Sequence, residues 1–300
     1  MMMKASALRL YAYFLVTSLL SIVVETAPSP NVTQVSTDLL DANHRDPDIL
    51  HFLDIVDPYG HISVRDPDNS SQFIMTFSIA PASATSQALV TYDISNATAL
   101  HLTFNESVTG ANIPPSFNER FIHSQIYASQ PNVTSVIHSH TLEVIPFGAV
   151  GVGLRAQIGA AGSLGALTNG TPIFDFSSAV PEDSDQLHDL LIKNTELGDA
   201  LAATFEDGSD VVLMKGHGMA LRASSIRQAT YRAFYTKQSA TVQMQAMLLG
   251  GGSASQVGLT VNQAMDAGAT NEGQGILDRG WNLWVQQVDQ NSLYVNDLRG

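Results

Sequence analysis

The chain has no cysteine among its 300 residues, so no disulfide framework can hold it together. Its stability has to come from a buried core and from subunit contacts. Cations are scarce as well: 14 Lys and Arg stand against 28 Asp and Glu, for a formal net charge of −14 and a pI near 4.8. Nucleic-acid phosphates would be repelled by such a surface, which excludes a nucleic-acid partner. The N-terminal region carries one long apolar run, Leu10 to Val24, preceded by Lys4 and Arg9. That run is short for a membrane span of roughly 20 residues and matches the core of a signal peptide. A signal peptide is therefore expected over residues 1–27, ending at the small Ala27, with no stable membrane insertion after its removal; the alternative is an uncleaved anchor. No internal repeat is visible.

Six Asn-x-Ser/Thr triplets fit that start: Asn31, Asn69, Asn96, Asn105, Asn132 and Asn169. Together they imply a secreted or secretory-pathway glycoprotein. Residues 28–37 form a Pro/Ser/Asn-rich flexible leader, one domain is expected over 38–250, and 251–300 reads as a linker with a C-terminal helical extension of the same domain. Helices are predicted from Asp38, from Asp46-Pro47 to Val56, over 117–129, 187–205 and 226–249, and from Gln274 through Val288. Strands are predicted at Gly60 to Arg65, Phe73 to Phe77, Ala88 to Ile94, Leu100 to Asn105, around His138, and over Val211 to Met214. Strands mixed with helices throughout point to one three-layer α/β domain.

The chemistry is concentrated in Val136-Ile137-His138-Ser139-His140. A strand turns alternate side chains to the same face, so His138 and His140 can reach one ion. His217 stands in a Gly-flanked turn after an apolar strand, where small neighbours let a side chain approach a ligand closely. Three histidines with a fourth position open form the usual first shell of a catalytic divalent metal. Glu119 falls on a predicted helix, and His123 lies one turn further on. Taken singly, each has an ordinary reading: a solvated glutamate, a packed histidine, a turn histidine at His61. Arg65 offers forked donors for a substrate carboxylate or for a structural ion pair. His44, His51, His101 and His188 have no such constellation around them.

Four ordered motifs, Gly60-His61-Ile62-Ser63-Val64-Arg65, Glu119-Arg120-Phe121-Ile122-His123, His138-Ser139-His140 and Lys215-Gly216-His217-Gly218, resemble the class II aldolase/adducin family. The 19 residues from Glu119 to His138 look like that family's spacing from catalytic glutamate to first metal histidine. The resemblance implies an α/β/α class II aldolase-like fold with a largely antiparallel central sheet, in homo-oligomers, usually tetramers. It implies His138, His140 and His217 as ligands of a divalent metal ion, zinc being commonest and manganese, magnesium or iron occurring in some branches. Glu119 would be the acid/base residue, and His61, Arg65 and His123 the substrate-binding ones.

Sugar-phosphate members carry Gly-Asn in the first motif and a Ser/Thr-Gly turn after the next strand. Here His61 replaces the Asn and the later segment reads Phe77-Ser78-Ile79-Ala80-Pro81-Ala82, so phosphate recognition is not expected. Pro146-Phe147-Gly148, Pro172-Ile173-Phe174-Asp175 and Arg279-Gly280-Trp281-Asn282-Leu283-Trp284 resemble the decarboxylase branch, which acts on hydroxy-carboxymuconic semialdehydes and dihydroxyphthalates. Gln157 and Phe176 depart from that branch, which often has polar or charged residues there. The implied activity is a metal-dependent carbon–carbon lyase, foremost a decarboxylase of a small keto, hydroxy or aromatic-derived carboxylic acid through a metal-stabilised enolate. The alternatives are an aldolase or epimerase on an unphosphorylated substrate, and a non-catalytic adducin-like assembly module.

Overall fold

The computed structural model describes residues 45–165, 169–205, 209–252, 258–295 and 297. The expected signal peptide, leader, first short helix, His44 and Asn31 lie outside these residues. Nine strands form one sheet in the order β5-β4-β3-β2-β1-β6-β9-β8-β7. They are β1 (His61–Arg65), β2 (Gln72–Thr76), β3 (Leu89–Asp93), β4 (Ala99–Leu102), β5 (Asn105–Thr109), β6 (Ser135–Ser139), β7 (Ile173–Phe174), β8 (Val211–Met214) and β9 (Gly218–Ala223). Every pairing is antiparallel except that of β7 with β8.

Helices cover both faces, which gives the three layers that the mixed pattern implies. On one face α2 (Arg120–Ser129) and α4 (Thr195–Ala203) pack on the sheet through Ile122, Ile126, Leu197 and Leu201 against Phe73, Tyr92, Val136 and Val212. On the other lie α1 (45–52), α3 (Ile145–Val150), α5 (Ile226–Leu249), α6 (Val261–Asn271) and α7 (Gln274–Asp289). Alternation along the strands makes this possible: Val136 and Val212 face the first layer, Ile137, Val211 and Leu213 the second. The long α5 approaches the sheet closely because its inner face is small, with Ala229, Ala233 and Ala240 fully buried.

Several boundaries differ from those predicted. The helix expected over 187–205 begins only at Thr195, where Asn194 caps it by accepting from the Leu197 amide. Leu190 upstream takes a left-handed backbone, φ 65°, which no helix accommodates. The segment predicted as a single strand from Leu100 to Asn105 is a hairpin, β4 to β5, and β9 and α6 are further elements beyond those predicted. The helix from Asp46 stops at residue 52, before Asp54 at φ 53°. Glu119 is the N-cap of α2 and lies just before its first turn.

Candidate metal centre

β6 runs between β1 and β9, and His138 pairs with His61 on one side and Ala220 on the other. His140 follows the end of β6. His217 is carried by the three-residue turn of the β8–β9 hairpin, closed by the His217 amide on the Met214 carbonyl. Glycine is required on both sides of it. Gly216 has φ 72°, and a Cβ on Gly218 would lie 2.0 Å from the Ser139 carbonyl oxygen. A side chain at 218 would force β9 away from β6 and part His217 from His138.

These elements bring Glu119, His138, His140 and His217 together, with one donor atom of each within 4.8 Å of the others. His138 Nε2 is 3.0 Å from His140 Nε2, which is 3.2 Å from His217 Nε2. Glu119 Oε2 is 3.5 Å from His138 Nε2 and 3.6 Å from His217 Nε2. The first two rings have their other nitrogens engaged: His138 Nδ1 donates to the Met219 carbonyl, and His140 Nδ1 to the Asp57 carboxylate at 3.1 Å. Their Nε2 lone pairs therefore face one another across 3.0 Å, which is repulsive unless a cation lies between them. A tetrahedral zinc with bonds of 2.0–2.1 Å sets its donors about 3.3 Å apart, close to the observed spacings. The donor set fits a divalent metal.

Glu119 is held from behind, its Oε1 accepting from the Ile192 amide at 3.0 Å. Burial pushes its carboxyl up, but the charges and hydrogen bonds of His138 and His217 outweigh this and hold it well below the usual carboxylate range. Burial holds His138 below the ordinary histidine value despite Glu119. The cluster meets solvent on the His140 side, where His140, Asp57, Thr141, Glu143 and Lys237 border a cleft of about 340 Å³. That volume suits a small molecule.

Of the three residues expected to contact substrate, His61 and His123 lie beside the cluster and Arg65 lies away from it. His123 is wholly buried, bonded to His61 Nδ1 and to the Ser63 hydroxyl, both at 2.7 Å. Burial and the His138 charge push it down to about 3, with Glu119 opposing. His61 is buried between the rings of His138 and Phe117. Among the described residues Arg65 pairs with no carboxylate: its guanidinium donates to the carbonyls of Ser70, Tyr127, Gln130 and Val133 at the far end of β1. It clamps α2 to the sheet.

A model of the class II aldolase and adducin N-terminal domain matches residues 55–244, which contain every residue of the cluster. The chain belongs to this family. Over 261 residues it is 37% identical to a Talaromyces stipitatus protein named decarboxylase TropJ, covering 83% of this chain and 93% of that one. It is 26% identical over 136 residues to the 3,4-dihydroxyphthalate decarboxylase of Arthrobacter keyseri, 45% of this chain and half of that one. The fold superimposes on an L-fuculose 1-phosphate aldolase from Glaciozyma antarctica with a TM-score of 0.65 at 16% identity, over 88% and 93% of the two chains.

Within this class II aldolase domain, sequence reasoning missed Asp57, read as a helix stop, and the Ile192 amide, placed in a helix that is not there. Only the acidic side chain at Asp57 hinted at a role. Asp57→Asn is expected to weaken metal binding by about 10–100-fold while leaving the fold intact, because it removes the anion that orients and polarises His140. Competition against a calibrated chelator measures it.

Proposed function

We propose that the protein is a divalent-metal-dependent carbon–carbon lyase that decarboxylates a small hydroxy or aromatic-derived carboxylic acid. The observation that carries this reading is the convergence of Glu119, His138, His140 and His217, with His140 also bordering a solvent-facing cleft. His138, His140 and His217 would hold the ion, with zinc first among the candidates. When bound, the ion supplies Lewis-acid stabilisation of negative charge developing on a substrate oxygen. All three ligands are neutral, so the cation's charge is not cancelled by them.

Glu119 is ionised in the resting site and so acts first as a base. Its Oε2 takes the proton of a substrate hydroxyl and returns it to the carbon that bears the carboxylate. The carbon–carbon bond then breaks, carbon dioxide leaves, and the bonding pair stays on the product, which takes up one proton from solvent. The Ile192 amide keeps the carboxylate aimed during both transfers. The names of two relatives, both decarboxylases, support this chemistry over aldol cleavage. Supplying hydroxybenzoic and hydroxyphthalic acids to the metal-loaded protein is expected to release carbon dioxide in step with substrate loss. Release of an aldehyde would favour the aldolase reading, and no turnover with metal bound an assembly role.

Export through the secretory pathway and assembly into a homo-oligomer belong to the same proposal. What supports export is the apolar N-terminal run together with sequons whose asparagines at 69, 96, 105, 132 and 169 are all exposed. Sedimentation velocity of protein secreted from a eukaryotic host is expected to give a multiple of the mass of the glycosylated mature chain, falling after N-glycosidase treatment.

A further inference from the structure

A column of polar side chains runs from the metal centre into the apolar core between α2 and the sheet. Glu119, His123 and Tyr127 recur every four residues along the start and length of α2, and His61, Ser63 and Arg65 every two along β1. The two stripes meet. Tyr127 Oη lies 2.8 Å from Ser63 Oγ, Ser63 Oγ 2.7 Å from His123 Nδ1, and His123 Nε2 2.7 Å from His61 Nδ1. His61, Ser63, His123 and Tyr127 are each at most 4% exposed. A run of polar groups in a hydrophobic layer is costly unless every proton is placed, and the placement here has a direction.

If Tyr127 donates to Ser63, Ser63 to His123 Nδ1 and His123 Nε2 to His61 Nδ1, all three short contacts are hydrogen bonds. In the reverse order the Tyr127 hydroxyl is left with the Thr134 carbonyl at 3.5 Å, a poor acceptor distance. The first order leaves the His61 proton on Nε2. That nitrogen makes no hydrogen bond among the described residues, and the ring packs against His138 and borders a small cavity with Gly60, Thr76 and Pro81.

We propose that Tyr127, Ser63 and His123 are positioning residues that fix His61 as the Nε2–H tautomer, so that it meets the substrate as a neutral hydrogen-bond donor to an oxyanion beside the metal centre. The substrate half rests on the lyase reading above, and the tautomer half does not. A neutral donor suits this place because the cation already supplies the charge.

The test is nitrogen-15 histidine spectroscopy of the zinc-loaded full-length protein, with salicylate as an anionic probe. The expected result is a His61 whose Nδ1 is unprotonated and whose Nε2 bears hydrogen, with the Nε2 signal moving on salicylate addition. Ser63→Ala and Tyr127→Phe should each mix the His61 tautomers at unchanged zinc content, and His61→Phe should weaken salicylate by about tenfold or more, as loss of one hydrogen bond to an anion does. A proton on Nδ1 in the wild type, or an unaltered tautomer in both variants, would overturn the relay. A correct tautomer that ignores salicylate would overturn the substrate half. Zinc content and carbon dioxide release report on the lyase proposal separately.

Discussion

His217→Ala is expected to abolish turnover and to lower metal affinity by at least about a thousandfold, more than the roughly 10–100-fold that loss of an outer partner costs. Of the three histidines His217 alone is borne by a turn, yet the turn is not loose. Met214 and Gly218 pair across it, and Gly218 is pressed against the Ser139 carbonyl. Removing the imidazole leaves two histidines two residues apart at one strand end, a bidentate clip with no third direction of approach. The substitution deletes a partly buried ring from a turn and opens no core cavity, so thermal unfolding of the metal-free variant should stay within a few degrees of metal-free wild type. Isothermal titration with zinc, beside a melting curve, separates loss of ligand from loss of fold.

Glu119→Gln is expected to act differently, lowering kcat by about 10²–10⁴-fold while metal remains bound. The amide keeps an oxygen for the Ile192 N–H and nearly the same volume, so the α2 cap and its surroundings persist. What disappears is the base. A carboxylate held ionised by His138 and His217 can take a proton and give it back, whereas an amide cannot. Steady-state kinetics on whichever acid releases carbon dioxide, with metal content measured on the same sample, would show kcat falling and KM little changed. A variant that lost metal and turnover together would make Glu119 a ligand first and a base second.

The parts of this site legible in the sequence are those encoded by local period. His138 and His140 are two apart on an extended segment, and the alternation of a strand suffices to aim both one way. His217 was marked by its flanking glycines, whose need for a positive φ and for a close backbone approach is visible without coordinates. Glu119 stood out only beside the other motifs, because a glutamate near the start of a helix is ordinarily solvated.

What could not be read is carried by pairs distant in the chain. Asp57 and His140 are 83 residues apart, and nothing local to either announces the other. The loop before α4 carries leucines and an isoleucine at spacing that imitates a helix, but Leu190 adopts a left-handed backbone and Ile192 turns its amide to Glu119. Arg65 shows the reverse case. Its forked donors invited a carboxylate, and four backbone carbonyls, three of them at the end of α2 and in the turn that follows, occupy them instead. The polar column behind His61 needed the register of β1 against α2, which only packing decides.

The central claim is that the histidine cluster is a divalent metal centre. Elemental analysis of the purified protein, wild type beside His138→Ala, after dialysis against metal-free buffer without chelator, tests it most directly. About one equivalent of zinc or another divalent metal per chain is expected, absent from the variant. A wild-type protein that takes up no metal even after reconstitution would contradict it.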